Sequence, residues 1–330
     1  MRSRHSIGMG GLAALVISTL GLVMVGPPAG AVSDVCVVRT PATAGKVPWT
    51  IRQASGLTTV AASPGVLFTH NDRGIRDAPG AGEDTASAAV WAIGLNGATL
   101  ARFRLVDAAG SPIPYFDTEA IGSDPLGRVV LADTGTNVDA RLTVALYRFT
   151  PPAVTAGQDY AEADVEAEII PVAYYDNGTT STRTLLNVES MAITAAGDAW
   201  FIPRKSGKPF AYMATAAALD QAAGSSAPAR AQRSTRLTVA GPMTDAAISP
   251  DGTMLLVKTS KAVYAYDLRS ATVATALGGA PCVAATARRA KDPGWGEAIV
   301  AQDDGGFVTL AEGSKTQHSG LASAVWSFSV

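Results

Sequence analysis

Carboxylates recur along this chain at the openings of short apolar runs. Glu119 precedes Ala120-Ile121-Gly122, and Glu189 precedes Ser190-Met191-Ala192. Asp245 precedes Ala246-Ala247-Ile248, and Glu297 precedes Ala298-Ile299-Val300. A second apolar run follows each and ends in polar residues: His70-Asn71-Asp72 in the first window, then Asp133 with Asn137, Arg204-Lys205, Lys258 and Glu312. If each pair of runs is a hairpin, both polar sets lie at one end. Carboxylates brought together are costly unless cations or hydrogen-bond donors compensate them. An oxygen-rich cluster suits Ca²⁺ or another divalent cation, with Glu119, Asp133, Glu189 and Glu297 as expected ligands. Alternatively, Arg204, Lys205 and Lys258 neutralise the acids in a salt-bridged ring. His70 is the candidate for moving protons, because an ordinary imidazole titrates near neutrality. Zinc is not expected, since past residue 31 the chain has only His70 and His318 and its two cysteines are expected to pair.

The elements that must position these residues repeat. Five windows join two apolar runs through a turn containing glycine: Pro64-Gly65, Leu126-Gly127, Ala196-Gly197, Asp251-Gly252 and Asp304-Gly305. These are hairpin signals. A third strand-like run follows each hairpin, at 89–93, 144–149, 210–213, 262–266 and 324–328. A fourth follows in four windows, at 100–105, 167–172, 236–239 and 272–275. Repeated units of four antiparallel strands predict an all-β chain, a β-propeller. Five blades are favoured, at about 57–106, 117–175, 187–240, 243–276 and 295–330. The long interval between Glu119 and Glu189 leaves six as the alternative. The last unit runs out of chain after three strands, so a strand within 35–53 is expected to complete it. The Ala-rich stretch 215–233 reads as an exposed insertion with a helical turn or two around 216–223.

The chain has 330 residues, 47% of them hydrophobic, and a formal net charge of −2. That is ample for a large core and gives no basic surface for nucleic acid. Residues 1–31 read as a signal peptide: Arg2 and Arg4 start it, an apolar run follows, and Ala29-Gly30-Ala31 offers a cleavage site. Residues 32–330 then form a single domain, secreted or cell-wall associated, with no membrane span left after cleavage. In an exported chain the two cysteines suggest a Cys36–Cys282 disulfide. Because its loop is so long, it would contribute roughly 4–5 kcal/mol on the chain-entropy model. Trp295, just before Gly296-Glu297, is placed to stack on a ring at the polar end.

The ordered set of motifs resembles an uncharacterised family of exported actinobacterial β-propeller proteins. It runs through His70-Asn71-Asp72-Arg73-Gly74, Asp117-Thr118-Glu119, Asp133-Thr134-Gly135-Thr136-Asn137, Asn187-Val188-Glu189-Ser190, Ser249-Pro250-Asp251-Gly252 and Gly296-Glu297-Ala298. The resemblance implies the fold and export, and no established reaction. Thr118, Ala120, Thr136 and Asn187 stand where the family pattern has Trp or Asp, so this mouth is the less acidic. Three functions fit: a binding or scaffold module that holds a small molecule, glycan or protein at its polar mouth; a metal-assisted hydrolase of phosphoesters, lactones or glycans; and a structural protein of the cell envelope.

Overall fold

Strands make up just over half of the described residues, and nearly every strand pairs antiparallel with its neighbour in sequence. The computed structural model describes residues 42–51, 53–72, 87–136, 140–176, 183–286, 296–302, 305–311 and 324–328. All belong to one compact unit, Ser33–Val330. The expected leader, Cys36, Asn137, Trp295 and Glu312 lie outside the described residues.

The first strand, β1 (Ala42–Lys46), finds its partner at the far end of the sequence. A meander follows: β2 (Ala54–Thr58), β3 (Val66–Asn71), β4 (Ala89–Gly94) and β5 (Thr99–Val106). The second begins with β6 (Ala120–Ser123), β7 (Val129–Asp133) and β8 (Val144–Phe149). Next, β9 (Ala161–Glu166) crosses to pair parallel with β5, and β10 (Glu168–Tyr175) returns beside β8. The short β11 (Arg183–Thr184) pairs with β10. The third meander is β12 (Val188–Ile193), β13 (Ala199–Lys205) and β14 (Phe210–Ala214), then helix α1 (Ala216–Ala222) and β15 (Ala229–Arg236). The fourth is β16 (Gly241–Ile248), β17 (Met254–Thr259) and β18 (Ala262–Asp267), then α2 (Val273–Gly278) and β19 (Cys282–Thr286). The last is β20 (Ala298–Ala301), β21 (Phe307–Leu310) and β22 (Ala324–Phe328), with β1 antiparallel to β22.

The leading strands of the five meanders lie beside one another in a cycle: β2 against β6, β6 against β12, β12 against β16, β16 against β20, and β20 against β2. Apolar side chains fill the seams between meanders. Phe68, Val90 and Phe103 of the first pack with Ile121, Leu131 and Phe149 of the second. Burying one such side chain is worth about 1.5–3 kcal/mol, so each seam holds many times the energy of a surface ion pair. The hairpin turns need glycine: Gly65, Gly127, Gly197, Gly252 and Gly305 have φ between 73° and 86°, where a side chain is strained.

Two fourth strands fall elsewhere than the sequence pattern expects. The strand expected at Arg236–Val239 is β15, Ala229–Arg236, inside the stretch expected to be an insertion. Only the helical part of that expectation holds, as α1. β15 alternates buried and exposed positions with Ala, Arg, Gln and Ser, so its inward face carries little apolar signal. The strand expected at Thr272–Thr275 is instead the start of α2. Thr272 is its N-cap, with Oγ1 accepting from Thr275 N at 3.2 Å. This local bond outweighs the β-propensity of a Thr-Val-Ala-Thr run.

Candidate functional site: an acidic cluster at one end of the leading strands

An antiparallel hairpin puts the start of its first strand and the end of its second at the same end. Asp72 follows β3, residues 117–119 precede β6, Glu189 is the second residue of β12, Arg204 nears the end of β13, and Glu297 precedes β20. Carboxylate oxygens of Asp72, Asp117 and Glu119 lie within 4.8 Å of one another, and all three residues are buried. Thr118 fixes that grouping. Its backbone N–H and its Oγ1 both donate to Asp72 O at 3.0 Å, and Oγ1 also donates to Asn71 O at 2.7 Å. In extended backbone Asp117 and Glu119, two apart, point the same way. Asn71 holds the preceding segment, with Nδ2 donating to Thr50 O at 2.9 Å.

Gly135 closes the cluster from the β7 side. A Cβ there would stand 2.3 Å from Asp117 Oδ2 and 2.7 Å from Glu119 Oε1. Only glycine lets backbone approach the two carboxylates this closely. Ser55 Oγ donates to Glu119 Oε2 at 3.5 Å. Burial, then repulsion from Asp72, Glu189, Asp117 and Glu297, holds the Glu119 carboxyl well above the usual carboxylate range.

The remaining carboxylates have different tasks. Glu189 and Glu297 share Arg204, whose Nη1 donates to Glu297 Oε1 at 2.9 Å and also to Glu189 Oε2. Asn187 Nδ2 donates to Glu189 Oε1 at 2.9 Å. Burial still pushes Glu189 up to about 7, against the pull of Arg204. Asp133 is enclosed by donors: Asp117 N at 2.9 Å and Arg141 Nη2 at 2.6 Å to Oδ1, Phe116 N at 3.0 Å and Tyr147 Oη at 2.9 Å to Oδ2. It therefore aims the segment carrying Asp117 instead of facing a ligand. Of the four carboxylates expected as a metal set, only Glu119 stands in the tight cluster. Lys205 is exposed to solvent.

Asp245 and Lys258 lie inside the protein, both 0% exposed. Counted back from the hairpin turn, Thr244 occupies the position of Glu119, Glu189 and Glu297, and Asp245 lies one residue deeper. Its carboxylate accepts from Ala246 N at 2.8 Å and from Ile299 N of β20 at 2.7 Å. Burial holds it above its ordinary range. The same burial brings Lys258 down to about 7, against attraction from Glu297 and Asp245. His70 is also fully buried. Its Nδ1 stands 3.3 Å from Asn71 O. A Cβ on Gly56 would be 3.1 Å from Nε2 and 2.9 Å from Ile121 N, so the imidazole sits in the seam between β2 and β6.

The sequence windows passed over Asp117, Gly135 and Phe116 as site residues. Phe116 is 49% exposed beside the cluster, with the Arg141 guanidinium 5.0 Å from its ring centre. The spacing of two between Asp117 and Glu119 was the available signal for the first.

No family model and no curated protein matches the chain. Among solved structures, it is similar to the PQQ-bound aldose sugar dehydrogenase of Streptomyces coelicolor, with 9% identity, 88% of this chain and 98% of that one covered, and a TM-score of 0.43. It is similar to a gluconolactonase from Xanthomonas campestris, with 12% identity, 88% and 89% covered, and a TM-score of 0.40. A third similarity is to hydrazine synthase of Kuenenia stuttgartiensis, with 14% identity and a TM-score of 0.34 over 60% of this chain. The chain spans only 43% of that last protein. At these scores neither fold nor activity transfers.

Proposed function

We propose that this chain is an exported five-bladed β-propeller acting as a binding module, with a divalent cation, Ca²⁺ in the first place, held by Asp72, Asp117 and Glu119 at its mouth. Five meanders, the cycle of leading strands and the completion of the last meander by β1 support the blade count. The cation reading rests on one observation: three buried carboxylates with oxygens within 4.8 Å of one another. Ca²⁺–oxygen contacts of about 2.3–2.6 Å let one ion bridge oxygens separated by up to roughly twice that distance. The Glu119 carboxyl, raised by burial and then by its acidic neighbours, would return to its ionised form beside such an ion. A cation held there by Asp72, Asp117 and Glu119 would supply a Lewis-acidic contact for the hydroxyls of a sugar or other polyol, with Phe116 nearby as an apolar face. A hydrolytic role has weaker support, since the expected proton carrier, His70, is enclosed in a seam.

Calcium titration by calorimetry, with melting curves in Ca²⁺ and in EDTA, tests this. Wild type is expected to gain about 2.7 kcal/mol of stability at a hundredfold excess over Kd. Glu119→Gln and Asp117→Asn should each weaken binding at least tenfold. Gly135→Ala should do the same by displacing the Asp117 carboxylate, without unfolding the chain. No heat and no melting shift in wild type at millimolar Ca²⁺, Mn²⁺ or Mg²⁺ would remove the cation from the proposal.

A further inference from the structure

The opposite end of the leading strands opens into a separate space. We propose that this cavity binds a small neutral molecule that is largely apolar and carries hydroxyl or carbonyl groups at its outer end. Its volume is about 660 Å³, within the range of about 300–1,000 Å³ usual for small-molecule sites. Every leading strand contributes at or near its C-terminal end: Thr58 of β2, Ser123 of β6, Ile193 of β12, Ile248 of β16 and Ala301 of β20. The space is therefore axial, reached from the hairpin-turn end and remote in sequence position from the acidic cluster at the strand starts.

The walls set the ligand's chemistry. Deeper in, Ile121, Met191 and Val300 are apolar and buried. The room depends on small residues: a Cβ on Gly122 would press within 3.3 Å of Ile193 Cδ1 and 3.5 Å of Met191 Cε. The only ionisable lining residue among those described is Asp124. Its oxygens are occupied by Arg128 Nε at 2.6 Å and by the N–H groups of Leu126 and Arg128 at 3.0 Å. A charged ligand would lose part of its hydration and gain no counter-charge, which favours a neutral ligand over ions and zwitterions. The half-exposed rim, by contrast, offers Thr59, Ser123 and Gln302, neutral groups able to meet hydroxyls or carbonyls. Water also fits the space, and saturable uptake is what separates a ligand site from a hydrated funnel.

The test uses the neutral fluorophore N-phenyl-1-naphthylamine with the full chain. Wild type should show a saturable, single-site rise in fluorescence. 1-Decanol should displace the probe, while decanoate and decylammonium should do so at least tenfold less well. Ser123→Phe, which fills the opening from β6, and Gln302→Phe, from the end of β20, should each weaken uptake at least tenfold with little change in melting temperature. Glu119→Gln should leave uptake unchanged, which keeps this site independent of the acidic mouth. Absence of saturable uptake in wild type overturns the proposal, as does full uptake in both folded rim variants. Equal displacement by decanoate overturns the neutral ligand class.

Discussion

Replacing Asp245 by alanine is expected to cost about 3–5 kcal/mol of folding stability, because each buried N–H group left without its acceptor costs about 1–3 kcal/mol. The carboxylate accepts from Ala246 N and from Ile299 N, so it joins β16 to β20. Across its own hairpin it is paired in register with Lys258. Truncation leaves the buried N–H groups of Ala246, Ile299 and Leu57 without this acceptor. It also leaves Lys258 without its nearest in-register acid, in an environment that already lowers the ammonium to about 7. The other meanders show what this position looks like without charge: Ala120 opposite Ala132, Ser190 opposite Ile202, and Ala298 opposite Leu310. The double variant Asp245→Ala with Lys258→Leu should therefore be more stable than Asp245→Ala alone, with a coupling energy of about 1–3 kcal/mol in urea denaturation. Additive losses would show that the two side chains do not act as a pair.

That pair also marks where the sequence misleads. Aligning windows on their first carboxylate places Asp245 with Glu119, Glu189 and Glu297. Aligning them on the turn glycine does not: Glu119, Glu189 and Glu297 each stand eight residues before Gly127, Gly197 and Gly305, whereas Thr244 stands eight before Gly252. In a strand one residue of slip exchanges the two faces, and a bulge between Met243 and Asp245 adds to the local irregularity. The glycine turns were legible because φ near +75° admits almost nothing else. The first three strands of each unit were legible because buried runs are strongly apolar. Outer strands such as β15 have water on one face and a weak pattern on the other, and α2 is decided by a single capping threonine. The site was half legible. Hairpin ends locate the acids, but the sharing of Arg204 between Glu189 and Glu297 joins residues far apart in sequence. Nothing local in the sequence shows that Asp133 turns its oxygens to Asp117 N and Arg141.

His70 gives the second large effect, on acid stability. In β3 it alternates onto the same face as Phe68, which is core, so strand geometry carries the imidazole inward although Asn71 and Asp72 follow it. Burial lowers its pKa from 6.5 to about 4, opposed by its contact with Asn71. Between those values the unfolded chain binds a proton that the folded chain refuses. Stability is therefore lost as pH falls from about 6.5 to 4, by about 3 kcal/mol at the lower limit. Glu189 works in the opposite sense: its carboxyl, raised to about 7, keeps its proton in the folded state, a contribution complete below 4.5 and lost as pH rises through 7. Glu119 and Asp245, whose carboxyls are also raised, act in the same sense as Glu189, so the wild-type profile alone is ambiguous and variants separate the contributions. Going from pH 7 to pH 4, His70→Leu should lose about 3 kcal/mol less than wild type in urea melts, and Glu189→Gln should lose more than wild type. The ring-proton resonances of His70 should keep their neutral-imidazole shifts down to about pH 4. A titration midpoint at or above 6 in the folded protein would mean that the imidazole reaches water, and the acid-loss prediction would fall with it.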